Sequence, residues 1–88
     1  MSISAVKTVV STAGELFAGS AVLEGRLILV VRNMHDSVAI VVGSTLVSTK
    51  LYGYTIEPGE KEKLVFAEPT TVYAQSLGCA VPVEVTEA

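Results

Sequence analysis

The sequence lacks tryptophan and contains one histidine and one cysteine, so it has few of the residues from which catalytic and metal sites are built. His35 and Asp36 are adjacent and therefore point in different directions, which does not suit a Ser-His-Asp triad. A Cys79–His35 dyad is allowed by the sequence, but no surroundings that would activate the thiol are visible. One histidine and one cysteine are also too few for a zinc site. We expect a protein that is not an enzyme and that uses no metal or cofactor.

The sequence also lacks long hydrophobic runs and clusters of positive charge. Its longest aliphatic runs are Leu27 to Val31 and Val38 to Val42, whereas a helix needs about 20 apolar residues to cross a bilayer. The first ten residues do not resemble a secretory signal. The six Lys and Arg residues are scattered through a chain of net charge −3. We therefore expect neither a membrane nor a nucleic acid as a partner.

What the chain does have is apolar residues in excess. Half of its 88 residues are hydrophobic and 17% are charged, against about 25% charged in ordinary soluble domains. We treat residues 1–88 as a single domain, which at this length buries only about 60 to 65% of its unfolded surface. The excess predicts a domain that packs against copies of itself. The lone Cys79 excludes an intrachain disulfide, and we expect its side chain to be buried as a small hydrophobe.

Strand-like segments recur about every 8 to 12 residues between turn-forming residues, a spacing typical of all-β sandwiches and barrels. We predict a single small antiparallel β-sandwich, jelly-roll-like or a partly open barrel, with about 7 to 8 short strands and no significant helix. The segments with strand character are 4–12, 26–33, 38–42, 45–49, 54–56, 63–67, 71–77 and 80–86. Residues 13–15 are expected to break the first strand, and residues 16–23 fit a strand, a loop or a bulge.

Three local features predict how the strands are arranged. Segment 26–33 is apolar on both faces, which indicates a central strand, and the turn formers after it predict a hairpin in which 38–42 returns beside it. Pro58 and Gly59 predict a type II turn. Pro82 cannot donate a ladder hydrogen bond. The last strand is therefore either an edge strand or meets its neighbour only on the side away from residue 82.

Candidate interface residues are apolar or aromatic, with one histidine. They are Val6, Val9, Leu16, Phe17, Met34, His35, Leu51, Tyr52 and Tyr54. Tyr52 and Tyr54 share a strand face at period two, which leaves a sugar-binding face open as an alternative to packing. We expect His35 to be a solvated turn residue. The carboxylates within 57–62 alternate with lysines and fit a solvated turn better than a calcium site, which needs 6 to 8 oxygens.

The segments VKTVVSTAGELFAGSA, GRLILVVRN, VAIVVGS, YGYTIEPGEKEKLVF and TVYAQSLGCAVPVEV, in this order, resemble small virion proteins of tailed phages. The resemblance is to β-sandwich capsid decoration (cement) proteins and head-fibre base domains, and it covers nearly the whole chain. It implies a homotrimer that clamps neighbouring subunits of the major capsid protein on the surface of a virion assembled in the host cytoplasm. Residues 1–10 would be either an arm to a neighbouring subunit or an ordinary first strand.

Two other functions remain open from the sequence. One is a tail, neck or fibre-attachment component of the same virion class. The other is a β-sandwich module that binds a glycan or a receptor through Tyr52 and Tyr54.

Overall fold

The structure is a computed structural model that describes residues 3–47, 50–68 and 70–88, with side chains described outside residues 44–52. Within these ranges the chain forms eight β-strands and no helix, which confirms the predicted all-β fold. The strands are β1 Ile3–Val9, β2 Gly14–Glu15, β3 Ile28–Asn33, β4 Ile40–Val47, β5 Lys50–Ile56, β6 Lys61–Val65, β7 Tyr73–Ser76 and β8 Val81–Glu87.

The strands form two antiparallel sheets of four. The first sheet has the order β1-β8-β3-β6, and the second has the order β2-β7-β4-β5. The two halves of the chain thus pair in reverse order, β1 with β8, β2 with β7, β3 with β6 and β4 with β5. A long hairpin wrapped around itself has this pairing, and it is the strand order of a jelly roll. Of the two predicted architectures, the sandwich is correct and the open barrel is not.

The core lies between the two sheets because successive side chains of a strand point alternately inward and outward, and most of the inward ones are apolar. In β8 the residues at 81, 83, 85 and 87 are buried, whereas Pro82 and Glu84 are exposed. In β7 the inward residues are Ala74 and Ser76. The fully or almost fully buried apolar side chains come from both sheets: Val9, Leu16, Ala18, Leu29, Val31, Ile40, Val42, Ile56, Val72, Ala74, Val81, Val83 and Val85.

Residues 3–9 form an ordinary first strand. They pair with β8 residue for residue, from Ile3 opposite Glu87 to Val9 opposite Val81, without a shift in register. In this structure they are therefore part of the sheet and do not form a free arm. In β1, Val6 and Thr8 point outward and Val9 points inward.

The predicted hairpin between segments 26–33 and 38–42 is wrong. β3 is central in the first sheet, between β8 and β6, whereas β4 is central in the second sheet, between β7 and β5. The turn between them crosses from one sheet to the other. The Asn33 side chain supports this crossing, because Nδ2 donates to the carbonyls of Val38 at 2.9 Å and Ile56 at 3.0 Å. An apolar strand needs cover on its inward face, and the crossing supplies it from the opposite sheet.

Other boundaries also differ from the predictions. β2 occupies Gly14–Glu15, where a break was expected, and residues 16–23 contain no strand. β4 does not end at Gly43 but continues to Val47, with a shift in its pairing to β5 between Val42 and Thr45. Of the predicted edge strand 45–49, residues 48 and 49 lie outside the described residues.

Of the two proline-based predictions, the type II turn is correct and the placement of the last strand is wrong. Gly59 has a φ of 80°, and the Glu60 N–H donates to the Glu57 carbonyl at 3.0 Å, as in a type II turn. β8 is central and pairs with both β1 and β3. Pro82 is tolerated because the ladder with β3 ends at Val83, one residue before it. Its carbonyl accepts the N–H of Met34, just beyond β3. Since the nitrogen and carbonyl of a strand residue point to the same side, the missing N–H of Pro82 faces that loop and costs no ladder bond with β1.

Candidate functional site

Of the nine predicted interface residues, those whose side chains the structure describes do not form one surface. Val9 and Leu16 are each 4% exposed and belong to the core, so their side chains are not available to a partner. Val9 is buried because it lies on the inward face of β1. Leu16 belongs to the same core cluster, and its N–H donates to the Val72 carbonyl beside β7. The side chains of Leu51 and Tyr52 lie outside the described residues.

The other five residues lie at three separate places. Val6, Met34 and Tyr54 are 61%, 47% and 62% exposed, whereas Phe17 and His35 are half-buried. Val6 and Phe17 lie beside β1, Tyr54 lies at the edge of β5, and Met34 and His35 follow β3. A partner that used all of them would have to surround the domain.

At the open side of the first sheet, β1 carries an exposed valine on its outer face and a shielded lysine on its inner face. Val6 projects outward, opposite Glu84 of β8. On the inner face, Lys7 Nζ donates to the Gly19 carbonyl at 2.6 Å and lies 5.0 Å from the centre of the Phe17 ring, a cation–π distance. Because β2 has only two residues, a cavity of about 210 Å³ remains open between β1 and β2.

Tyr54 stands at the opposite side of the sandwich, between the edge strands β5 and β6. It pairs with Val42, and residues opposite each other in a ladder share a face, so its ring is on the core side of β5. Together with Leu64 and Phe66 it lines a cavity of about 120 Å³. Among the described side chains, Tyr54 is the tyrosine that lines this cavity, and the side chain of Tyr52 lies outside the described part. A sugar-binding face built from Tyr52 and Tyr54 stays a prediction.

One end of the sandwich, which we call the loop end, consists of the connections 10–13, 34–39, 57–60 and 77–80. Three large apolar side chains on it are exposed, with Val10 at 50%, Met34 at 47% and Leu77 at 62%. Backbone hydrogen bonds tie these connections together, for example from the Leu77 N–H to the Ala39 carbonyl at 3.1 Å. The loop end is therefore a fixed surface with apolar side chains in water.

The loop end also brings His35 and Cys79 together. Nε2 of the histidine lies 3.5 Å from the cysteine Sγ. Cys79 is exposed, so its predicted burial is wrong. It follows Gly78 in the loop between β7 and β8, where the backbone turns outward. His35 is also not the solvated residue predicted, since its side chain is only 20% exposed.

The hydrogen bonds of His35 determine what this pair can do. Nδ1 accepts the N–H groups of Ser37 at 2.9 Å and Val38 at 3.0 Å, so the proton of the neutral ring is on Nε2 and points toward Cys79 Sγ. Asp36 Oδ1 also lies 3.4 Å from Nδ1, but its carboxylate is 99% exposed. A carboxylate only accepts hydrogen bonds, so it could bond to Nδ1 only if that nitrogen carried a proton in place of the two bonds that it accepts. A general base would need a free lone pair on Nε2 to take the thiol proton. In this tautomer the pair cannot act as a nucleophilic dyad.

The side chain of Asn33 also stabilises the loop end. Asn33 is fully buried. In addition to its two donor bonds across the sheets, its Oδ1 accepts the N–H of His35 at 2.9 Å. Three hydrogen bonds from one side chain therefore fix where the loop leaves β3.

The opposite end of the sandwich is held by a buried ion pair. Arg26 Nη1 lies 2.9 Å from Glu87 Oε2, with the two side chains 1% and 0% exposed. Arg26 also donates to the carbonyls of Leu16 at 2.8 Å and Thr70 at 2.9 Å. Its Nε is buried without a hydrogen-bond partner among the described residues. These bonds connect the long connection after β2, the one before β7 and the last strand.

Glu87 accepts hydrogen bonds from two backbone N–H groups in addition to the one from Arg26. The N–H groups of Ala18, at 2.7 Å, and Leu23, at 3.1 Å, donate to its two oxygens. Burial by itself raises the pKa of this carboxyl, but the hydrogen bonds from Ala18, Leu23 and Arg26 outweigh it and hold the pKa below its usual value. The charged form of Glu87 is therefore the form that the fold stabilises.

Sequence reasoning missed this ion pair. The only signal was position: in the alternation of β8, residue 87 falls on the same face as Val81, Val83 and Val85. A carboxylate on a buried face requires a partner, but nothing in the sequence indicates that the partner is Arg26, 61 residues away.

Two other findings concern function. The described ranges contain no group of three or more His, Cys, Asp or Glu side chains placed to hold a metal ion. Over the same ranges, no helix is long and apolar enough to cross a membrane.

No family model, no curated protein and no solved structure matches the chain.

Proposed function

We propose that this chain is a non-enzymatic virion structural protein, a capsid decoration protein that self-associates and stabilises the lattice of a phage major capsid protein. The observation that carries the proposal is the eight-stranded jelly roll with exposed apolar side chains on a rigid end. Jelly rolls are used in viral capsids, as well as in lectins and cupins. The resemblance of the sequence to phage decoration proteins points to the first of these uses.

The loop end is the surface that we assign to the capsid. Val10, Met34 and Leu77 are each about half exposed, and removing such side chains from water contributes on the order of 1 kcal/mol each. The binding free energy that one loop end obtains from these three side chains is therefore small. A lattice offers many equivalent sites, so contacts of this strength fill it once the free chain is concentrated enough.

The test is cryo-microscopy of virions from the phage that encodes the chain. We expect density for the jelly roll at regularly repeated positions on the capsid surface, with the loop end against the capsid. Density only at one vertex or on the tail would favour the tail, neck or fibre-attachment function. Absence of the chain from the virion would contradict both.

A variant pair tests which end binds. Leu77→Asp places a charge on the loop end and should lower the occupancy of the capsid. Leu27→Asp is the control, because Leu27 is also exposed, at 41%, but precedes β3 at the opposite end. Equal occupancy for the two variants would contradict the assignment of the loop end.

A glycan-binding function is favoured by one observation, the 62% exposed ring of Tyr54 at the mouth between β5 and β6. Aromatic rings at such positions can stack on sugars. A glycan array, together with adsorption of a Tyr52→Ala/Tyr54→Ala double variant, separates the two functions. Glycan signal that the double variant abolishes would replace the decoration function; unchanged adsorption without any glycan signal would exclude glycan binding.

A further inference from the structure

The outer edge of β1 is much less protected against strand pairing than the other edge of the first sheet. Edge strands usually carry lysines, prolines or bulges that prevent pairing with another chain. On β6, at the far edge, Lys61 and Lys63 are both exposed. On β1 the outward side chains are Ser4, Val6 and Thr8, all exposed and all uncharged.

The free backbone groups of β1 can be identified from the alternation of the ladder. The carbonyl of Pro82 faces β3, since it accepts the N–H of Met34. The even-numbered residues of β8 therefore bond toward β3 and the odd-numbered ones toward β1. On β1, the odd-numbered residues are the partners in that ladder. The N–H and C=O groups of Ser4, Val6 and Thr8 point away from β8, toward the open edge.

We propose that two copies of this chain pair through β1, antiparallel across a twofold axis at Val6, so that their first sheets join into one sheet of eight strands. The proposal rests on the self-association proposed above and names the surface responsible. In this register Val6 faces Val6 of the second copy, and Ser4 faces Thr8. Each of these facing pairs exchanges two N–H···O bonds. Ser–Thr and Val–Val are favourable cross-strand pairs.

The charges on the two edges favour β1 over β6 for this pairing. In the Val6-centred register Lys7 faces Ala5 of the second copy, so the two lysines do not oppose each other. Each Lys7 is also held within its own subunit by Gly19 and the Phe17 ring. The same pairing of β6 would be centred on Lys63 and would place like charges directly opposite, which is destabilising.

The occupant of the edge is therefore a second copy related by a twofold axis. A head-to-tail contact of β1 with β6 of the next copy is the alternative that would produce a closed ring, such as the trimer implied by the resemblance to decoration proteins. The two arrangements differ in stoichiometry and in their dependence on β6. A single set of variants can distinguish them.

Sedimentation velocity of the purified chain over a range of concentrations gives the first test. We expect a monomer–dimer equilibrium that Val6→Lys weakens at least about tenfold, because it places two lysines opposite each other at the axis. The matched control is Val65→Lys, since Val65 is equally exposed, at 68% against 61%, on the other edge strand. It should leave the dimer unchanged. Mixing Val6→Lys with Val6→Glu should restore a dimer.

Cross-linking gives a second test that does not depend on affinity. In a Cys79→Ser background, Val6→Cys should form a disulfide-linked dimer under mild oxidation, because facing residues of such a pair lie about 5.5 Å apart at Cα. Val65→Cys in the same background should not.

The outcomes separate this proposal from the one on which it rests. A wild-type chain that stays monomeric at all concentrations would overturn self-association itself and this pairing with it. A dimer that Val6→Lys does not weaken, or that Val6→Cys does not cross-link, would overturn only the pairing through β1. A trimer weakened by both Val6→Lys and Val65→Lys would overturn the twofold arrangement in favour of the ring.

Discussion

Replacing Glu87 by Gln removes the negative charge that the fold has enclosed between the last strand and the connection after β2. The carboxylate is 0% exposed and accepts hydrogen bonds from Arg26 and from the N–H groups of Ala18 and Leu23. A glutamine has one accepting oxygen, so its NH₂ group must face donors. Arg26, 1% exposed, would be left as a buried charge without a counter-ion.

The expected loss is large compared with the stability of the domain. Removing one partner of a buried ion pair costs about 3 to 5 kcal/mol, and a domain of this length is stable by about 4 to 13 kcal/mol, at roughly 0.05 to 0.15 kcal/mol per residue. For a domain of this size each kcal/mol corresponds to about 4 to 8 °C in Tm. We expect Glu87→Gln to lower Tm by at least about 12 °C, or to unfold the chain at room temperature.

Thermal and urea unfolding followed by circular dichroism measure this effect. The control is Glu84→Gln, on the same strand but on its exposed face, which should change the free energy of unfolding by less than about 0.5 kcal/mol. A double variant, Arg26→Met/Glu87→Gln, should be less destabilised than the sum of the two single variants, because no unpaired charge remains. A loss below about 1 kcal/mol for Glu87→Gln alone would refute the reasoning.

Three further predictions concern stability. The pKa of Glu87 is lower in the folded chain than in the unfolded chain, so the unfolded chain binds the proton more readily. The contribution of the Glu87 carboxylate to the free energy of unfolding should therefore be complete above the unfolded pKa of about 4.3, and it should disappear as pH falls through the folded-state pKa. Urea titrations from pH 7 to 2 should show a flatter profile for Glu87→Gln. Gly53→Ala should lower the free energy of unfolding by about 1 to 3 kcal/mol, because a Cβ at this position would collide with the Val42 carbonyl. The control is Gly14→Ala, since nothing lies within 4 Å of a Cβ there. Equal urea midpoints for the two variants would contradict the prediction. Asn33→Ala should cost about 2 to 4 kcal/mol through its three lost hydrogen bonds, and an unchanged urea midpoint would count against the role given to it.

The alternation of the sequence predicted which side of a strand is buried, but it could not predict which strand lies beside which. In β1 and β7 the inward and outward faces follow the pattern, because side-chain direction is a local property of extended chain. The turn Glu57–Glu60 was predictable for the same reason, since Pro58 and Gly59 set its backbone angles. The position of β4 in the second sheet, and not beside β3, was not predictable from the sequence. The turn formers between β3 and β4 suit a hairpin and a crossing equally well, and the contacts that hold the crossing, such as the bond from Asn33 to the Ile56 carbonyl, involve residues distant in the sequence.

The candidate surfaces were predictable only in part. Val6 and Met34 are exposed apolar residues, as an interface residue requires, but Val9 and Leu16 are in the core. An apolar residue type is equally suitable for a core and for an interface, and the sequence does not distinguish them. The position of Cys79 beside His35, 44 residues apart, depends on the packing of two connections at one end of the jelly roll, and no local pattern indicates it.

Binding to capsids assembled without this chain is the measurement that tests the central claim most directly. Purified chain is added in increasing amounts, the capsids are pelleted, and bound copies are counted against the major capsid protein. We predict saturable binding that ends at a fixed ratio of the two proteins, together with capsids that resist a higher temperature than bare ones. Binding that never saturates, or chain that stays in the supernatant, would contradict the proposal that this jelly roll is a capsid decoration protein.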